Sequence, residues 1–258
     1  MVTKSVRAIE RAIDVMDVIK ANGGTAGVSE ISRQVGLSKS CVHRILTALV
    51  NGGMVRKHDL SDRYSFAHKI LELASAASRQ WDLVSLAMPY LEELRDRLNE
   101  TAVMALRVGS QFTYIAQAVR RDEYYFTPTL GRHYPLHSAA PGKAILAFLP
   151  LGDIEHYLAN GPLAASTART ITDPIALEQE IDRIRRVGYA ISAGERVEGA
   201  AAIAAPIRNR QCFAYAAVCI VGPESRLRDL DLKVAGELVT EISRRAEQAC
   251  LPVGIEQL

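Results

Sequence analysis

No run of about 18 apolar residues occurs in the 258-residue chain, so a helix able to cross a membrane is not expected. Cysteine is scarce as well: Cys41, Cys212, Cys219 and Cys250 form no C-x-x-C pair and have no suitably spaced histidine, which argues against a structural zinc site and for reduced, mostly buried thiols. The six histidines include no H-E-x-x-H pair, and the chain has no G-x-S-x-G elbow, P-loop or dinucleotide-binding glycine fingerprint, so the usual enzyme signatures are missing. His137 and Cys219 could imitate a thiol–imidazole pair, but nothing in the sequence orients them. Met1 to Lys20 is charged throughout, where a secretory signal needs an uninterrupted apolar stretch. These absences point to a cytoplasmic protein that is not an enzyme, with no metal and no cofactor.

What is present is an ordinary globular composition, 48% hydrophobic and 23% charged, in a length comfortable for two domains. The net charge of +2 is unevenly placed. Residues 1–66 hold ten Lys/Arg against six Asp/Glu, a net of +4, and the rest hold 21 against 23, a net of −2. A basic module on a near-neutral body suits a protein that meets phosphate at one end.

Ile9, Ala12, Ile13, Met16 and Ile19 recur at helical spacing and predict an amphipathic helix over 6–20, stopped by Asn22-Gly23-Gly24. Ser29 is placed to cap a second, short helix with Ile31 and Val35 inward, and Gly36 supplies the turn after it. Ser38 then caps a third helix, on which Val42, Ile45, Leu46 and Leu49 form the apolar stripe. Its opposite face presents Lys39, Ser40, His43, Arg44 and Thr47, donors and cations without a carboxylate. A helix entering the major groove needs that chemistry, and two short helices joined by a glycine turn form a helix-turn-helix. Met54–Lys57 and Arg63–Phe66 predict a hairpin after Gly52-Gly53. This is a wing, with Arg56, Lys57 and Arg63 within reach of phosphate, and Arg7 and Arg11 are further candidates.

A helical stripe through Ile70, Leu73, Ala74 and Ala77 predicts a linker helix over 67–80. Another helix follows, with Leu91, Leu94 and Leu98 inward and Pro89 within it. Strands are expected at 102–108, 112–119, 123–127, 188–193, 200–207 and 213–221. Helices are expected at 139–149, 152–159, 176–187 and 226–249, the last burying Leu227, Leu230, Val234, Leu238 and Ile242. Hairpins without strict β-α-β alternation make the fold class α+β with an antiparallel sheet. The domains are then a winged helix-turn-helix over 1–66, the linker helix over 67–80 and a larger domain over 81–258.

The blocks SVRAIERAIDVMDVI, VSEISRQVGLSKSCVHRILTALVNGGMV, PLHSAAPGKAILAFLP, TITDPIALEQEIDRIRRVGYAIS, AAIAAPI and VGPESRL, in that order, resemble the isocitrate lyase regulator (IclR) family of bacterial transcription factors. The resemblance implies a GAF-like effector-binding and oligomerisation domain after the winged helix, a homodimer or dimer of dimers, a double-stranded DNA operator and a small organic effector. It also carries effector contacts onto Ala140, Pro141, Gly142, Ser192, Ala202, Cys219 and Val221, with Phe126 and Tyr134 as walls. Several family members have an acidic residue in place of Ser192, Cys in place of Ala202, and Ser in place of Cys219 and Val221. Losing those polar groups predicts a less polar effector, with aromatic or longer-chain compounds as the candidates, because an unpaired charge in an apolar site is costly. The glycine and backbone N–H groups from Ala140 to Lys143 remain candidates for holding an anion. Lys143 either neutralises an effector carboxylate or, by default, faces solvent. Cys219 is a redox switch or, by default, pocket wall. Glu195 and Glu198 are expected on a polar loop surface. The expected function is a DNA-binding regulator, a repressor, with the effector acting on operator affinity through the linker helix. The competing reading is a winged helix that contacts protein.

Overall fold

Three helices and a three-stranded sheet close around one small core at the start of the chain. The computed structural model describes residues 7–58, 61–80, 83–120, 128–159 and 162–250, and its contacts divide the chain between Gln80 and Trp81 into two units. The first contains α1 (Arg7–Ala21), β1 (Thr25–Gly27), α2 (Val28–Val35), α3 (Lys39–Asn51), β2 (Val55–Lys57), β3 (Arg63–Phe66) and α4 (His68–Gln80). Val15, Ile19, Ile31, Val42, Leu46, Val55 and Tyr64 make its core. On α1 the buried stripe is Val15 and Ile19, while Ile9 and Ile13 are 60% and 48% exposed. The expected apolar face is therefore only partly turned inward.

Gly36, at φ +67°, ends α2 in the left-handed conformation that glycine adopts without steric cost. Ser38 caps α3 by accepting from the Cys41 amide at 3.3 Å, which satisfies one of the orphan donors of the first turn. The cap of α2 differs from expectation. Gly27 occupies that position, Ser29 lies inside the first turn, and Glu30 Oε2 accepts from the Gly27 amide at 3.4 Å. The hairpin pairs Val55 with Phe66 and Lys57 with Tyr64. An unexpected strand, β1, adds to its other side, pairing Thr25 with Ser65.

The second unit contains α5 (Leu83–Leu98), β4 (Thr101–Val108), β5 (Gln111–Ala118), β6 (His133–Pro135), a 3-10 turn (Leu136–Ser138), α6 (Ala140–Leu146), α7 (Leu151–Ala159), α8 (Pro174–Val187), β7 (Ala190–Ala193), β8 (Ala200–Arg208), β9 (Ala214–Pro223), α9 (Glu224–Arg228) and α10 (Leu232–Cys250). The strands form one antiparallel sheet in the order β6-β5-β4-β9-β8-β7. Ala102, Met104, Ile203, Val218 and Ile220 pack with α5 and α10 on one face. Val103, Ala105, Ala204, Ala217 and Cys219 pack with α6 and α8 on the other. Covering both faces explains why β8 and β9 read as continuous apolar runs, where a half-exposed antiparallel strand would alternate.

The long final helix expected over 226–249 is two helices. Asp231 starts α10 by accepting from the amides of Lys233 and Val234 at 3.0 and 3.1 Å. The buried stripe of α10 is Ala235, Val239, Ile242 and Ala246, and Val234, expected inward, is 60% exposed. α6 is shorter than its expected span, with Ala139 as its cap residue. The strand expected at 123–127 lies outside the described residues.

Gly142 sets the closest approach in this unit. A Cβ there would sit 2.1 Å from the Leu136 carbonyl oxygen. Gly142→Ala is expected to destabilise the protein by about 2–3 kcal/mol through overpacking. Urea denaturation checks this, and a variant within about 0.5 kcal/mol of the parent would contradict the packing described.

Candidate functional site

On α3 the apolar side is closed by Val42 and Leu46, which leaves Ser38, Lys39, Ser40, His43, Arg44 and Thr47 exposed. Among the described residues, no carboxylate pairs with Lys39 or Arg44, so both cations are available to an external anion. Ser38 and Ser40 hydroxyls lie 3.1 Å apart. The Thr47 hydroxyl turns back to donate to the His43 carbonyl at 2.8 Å, so in this rotamer it offers outward its methyl and a lone pair. Arg7 and Arg11 are exposed on α1, and Arg56 and Lys57 on β2.

The wing cations are not equivalent. Arg56 Nε donates to Ser65 Oγ at 3.2 Å. Lys57 pairs with Asp62 at 2.5 Å, and the hydrogen bond and charge of Lys57 hold that carboxyl below its ordinary range. Arg63 departs from its expected role. Its guanidinium donates to Thr25 Oγ1 at 3.3 Å, to the Thr25 carbonyl at 2.9 Å and to Glu30 Oε2 at 3.2 Å, which ties β3 to β1 and α2. Phosphate would have to compete with three internal acceptors.

In the second unit a small cavity of about 20 Å³ is lined by Tyr114, Ala139, Ser192, Arg196, Val197, Ala200, Ala201, Ala202 and Val221, room for about one water molecule. Phe112, Tyr114 and Tyr134 form an aromatic cluster beside it, with ring centroids 5.4, 5.5 and 5.9 Å apart. The Arg196 guanidinium covers this cluster, 4.5 Å from the Tyr134 centroid and 5.8 Å from that of Tyr114. Burial pushes the Tyr114 phenol up and the Arg196 charge pulls it back.

Of the positions carried over by resemblance, Ser192, Ala202 and Val221 line the cavity. Tyr134 adjoins it through its ring contacts. Ala140, Pro141 and Gly142 do not line it. They are buried in the first turn of α6, and Gly142 is packed against the Leu136 carbonyl. The Lys143 amide donates to Ala139 O at 3.0 Å and Pro141 has no N–H, so little of that turn remains to hold an anion. Phe126 lies outside the described residues. Cys219 is fully buried, its thiol donates to Ile220 O at 3.1 Å, and burial pushes its pKa up, which disfavours the reactive thiolate. His137 does not serve it. Its Nε2 lies 3.0 Å from the Ala164 carbonyl, which can only accept, so Nε2 carries the proton and Nδ1 accepts from the Tyr157 hydroxyl at 2.7 Å.

Lys143 neither faces solvent nor lines the cavity. It is 1% exposed and its ammonium donates to Glu195 Oε1 at 2.8 Å, the Ile191 carbonyl at 2.9 Å and Glu180 Oε1 at 3.3 Å. Burial raises the Glu195 pKa despite Lys143. For Glu180 burial acts the same way, but the Arg183 hydrogen bond and the Lys143 and Arg183 charges outweigh it and lower the pKa. The Glu195 carbonyl accepts from Thr170 Oγ1 at 2.6 Å, and the one Thr167 hydroxyl hydrogen lies between the Gly194 carbonyl at 2.7 Å and the Glu195 carbonyl at 3.0 Å, so this loop is pinned by side chain and backbone together.

Residues 8–59 match the IclR helix-turn-helix domain, and residues 75–250 match the domain described as bacterial transcriptional regulator IclR C-terminal. The chain belongs to the IclR family. It is 30% identical to the HTH-type transcriptional regulator BhcR of Paracoccus denitrificans, over 96% of this chain and 88% of that protein. It is 29% identical to the HTH-type transcriptional repressor AllR of Klebsiella pneumoniae, over 95% and 90%. The crystal structure of an IclR homologue from Microbacterium hydrocarbonoxydans complexed with 4-hydroxybenzoate shares the fold, with a TM-score of 0.83 at 22% identity over 94% of this chain and 98% of that one. This IclR-type chain is thus a helix-turn-helix transcriptional regulator, and no helix among its described residues is long and apolar enough to cross a membrane.

Sequence reasoning missed Arg196 and Tyr114 in the cavity and the buried partners of Lys143. A lone cation in a loop between two strands has no signal that separates it from a solvated one. Variants at Lys143 and Arg63 test the internal roles of charged groups in this IclR chain. Lys143→Met leaves Glu195 without its cation and Glu180 with Arg183 alone, and is expected to cost about 3 kcal/mol. Adding Glu195→Gln should recover part of that loss in chemical denaturation, and full additivity would contradict the pairing. Arg63→Ala is expected to lower stability by about 1 kcal/mol, since the pair is partly exposed, and a melt unchanged from the parent would show Arg63 to be free.

Proposed function

We propose that this IclR-type regulator is a cytoplasmic repressor. A homodimer, or a dimer of dimers, holds two winged helices on successive half-sites of a double-stranded operator. Residues 1–66 read the DNA, residues 67–80 form a linker, and residues 81–258 bind the effector and pair the subunits. The observation that carries the reading is the acid-free face of α3, on which Lys39 and Arg44 have no carboxylate partner among the described residues. Ser38, Ser40, His43 and Thr47 add short polar groups at the same surface, and Arg7, Arg11, Arg56 and Lys57 supply flanking phosphate contacts. Arg63 contributes indirectly, by fixing the wing to α2.

The effector enters the cavity bordered by Ser192, Ala202 and Val221, beside Tyr134 and Cys219. Its mostly apolar walls favour a small organic molecule with an aromatic or aliphatic body, the class to which the ligand of the Microbacterium homologue belongs. A ligand that binds one arrangement of the chain more tightly shifts the population towards it, and reciprocal coupling then changes operator affinity. The role is one of binding, with no catalytic step assigned to His137 or Cys219.

Gel-shift titration against the protein's own upstream intergenic DNA tests the reading. Sequence-selective binding is expected, with affinity falling steeply as salt rises because phosphate contacts release counterions. Arg44→Ala is expected to weaken binding by about 1–3 kcal/mol if it contacts a base, or to reduce the log–log salt slope by about 1 if it contacts phosphate. A variant with parental affinity and slope would remove Arg44 from the interface, and binding insensitive to salt would favour a protein partner for the winged helix.

A further inference from the structure

Three observations meet at Arg196. Its guanidinium stacks over Tyr134 and lies near Tyr114, and among the described residues no carboxylate pairs with it. The cavity it lines holds only about 20 Å³, so an organic molecule enters only if the lining yields, and movement of this long side chain would give it room. The backbone beneath it is fixed. Thr167 Oγ1 donates to the Gly194 carbonyl at 2.7 Å, Thr170 Oγ1 donates to the Glu195 carbonyl at 2.6 Å, and the Gly194 amide donates to Ala200 O at 2.7 Å. On the other side of the same segment, Glu195 is held by the Lys143 ammonium at 2.8 Å. The segment therefore carries one long cationic side chain on an anchored main chain.

We infer that Arg196 is the specificity-determining residue of this cavity: a gate that occupies the face of Tyr134 and swings aside to pair with the carboxylate of a small planar acid, whose ring takes the place of the guanidinium. The inference rests on the reading of this cavity as the effector site. The planar guanidinium already shows that a flat group fits against Tyr134. Leaving that face removes a cation–π contact, so a neutral ring gives up the arginine's contact without replacing it. An acid replaces it with a charge-assisted, bidentate pair of stronger kind. Because the other lining side chains are neutral, with Ser192 and Tyr114 the polar ones among them, charge selection falls to this arginine.

The test uses the full-length protein and two probes of the same shape, benzoate and benzamide, with binding followed by calorimetry and folding by circular dichroism. The parent protein is expected to bind benzoate at least tenfold more tightly than benzamide. Arg196→Gln should lose at least tenfold for benzoate and abolish the discrimination, while Arg196→Lys, which keeps the charge but not the fork, should fall between them. A parent that does not distinguish the probes, or binds neither, overturns the inference, as does an Arg196→Gln variant that binds benzoate normally. A separate variant, Ala202→Phe, fills the cavity from its strand wall and leaves Arg196 unsubstituted. If benzoate binding survives Ala202→Phe in a folded protein, the ligand sits elsewhere, and the effector-site reading fails along with the gate. If Ala202→Phe abolishes binding and Arg196→Gln does not, the site stands and only the gate falls.

Discussion

The Lys143 ammonium is the constraint on which the C-terminal unit depends. Three donors meet three acceptors from separate places: Glu180 on α8, the Ile191 carbonyl on β7, and Glu195 in the loop that follows β7. Such a cluster adds little net stability over an apolar replacement of the same shape, because desolvating the charges offsets their attraction. Its effect is on alternatives. Any packing of α6 that withdrew Lys143 would leave Glu195 without a cation and Glu180 with Arg183 alone, and Glu195 would have to protonate or drag its segment to water. The arrangement of α6, α8 and the end of β7 is therefore specified by a penalty on every other arrangement. Gly142, one residue away, adds a steric version of the same demand, since only a glycine lets α6 lie on the Leu136 carbonyl.

What could be read from the sequence is what is encoded locally. The helix-turn-helix was legible because its signals are caps and periodicity within a dozen residues: Gly36 in the left-handed turn, Ser38 as a cap, and Val42 and Leu46 on one face. Five strands of the sheet, β4, β5, β7, β8 and β9, were legible through their apolar runs and glycine turns, whereas β6, three residues at the edge, was not expected. β1 was not, because Thr-Ala-Gly has no strand character of its own and exists by pairing Thr25 with Ser65, far along the chain. The break between α9 and α10 was hidden by apolar residues that keep helical spacing across it, although Asp231 carried the capping signal. Lys143 was misread for the same reason as β1. A lysine in a helix is solvated unless something distant needs it, and its partners lie 37 and 52 residues away.

The N-terminal unit shows how a basic segment divides its cations between folding and binding. Arg63 looks equivalent to Arg56 in the sequence, since both flank the hairpin. Geometry separates them. Arg63 on β3 points across to Thr25 and Glu30, and its fork of donors closes the sheet onto α2. Lys57 holds Asp62 across the mouth of the hairpin. On α3 the absence of any carboxylate means that nothing within the helix competes with phosphate or base edges for Lys39 and Arg44. Net charge alone does not reveal this, because a cation engaged by its own chain counts the same as a free one.

The ligand cavity turns on a similar distinction between charge in the sequence and charge in place. Ala202, Cys219 and Val221, read as wall positions, suggest a site with few donors and hence a ligand with little polarity. Arg196 alters that conclusion without altering the wall. A donor fixed on a strand demands that the ligand's acceptor lie at one distance and one angle. A donor at the end of a long side chain tolerates a range of both, and while it rests on the Tyr134 face it also excludes solvent from the space it guards. Moving polarity from the strands to a loop arginine therefore changes the kind of selection the site can make. Charge is still required, but the size of the body that carries it is set by the apolar walls and by how far the guanidinium withdraws.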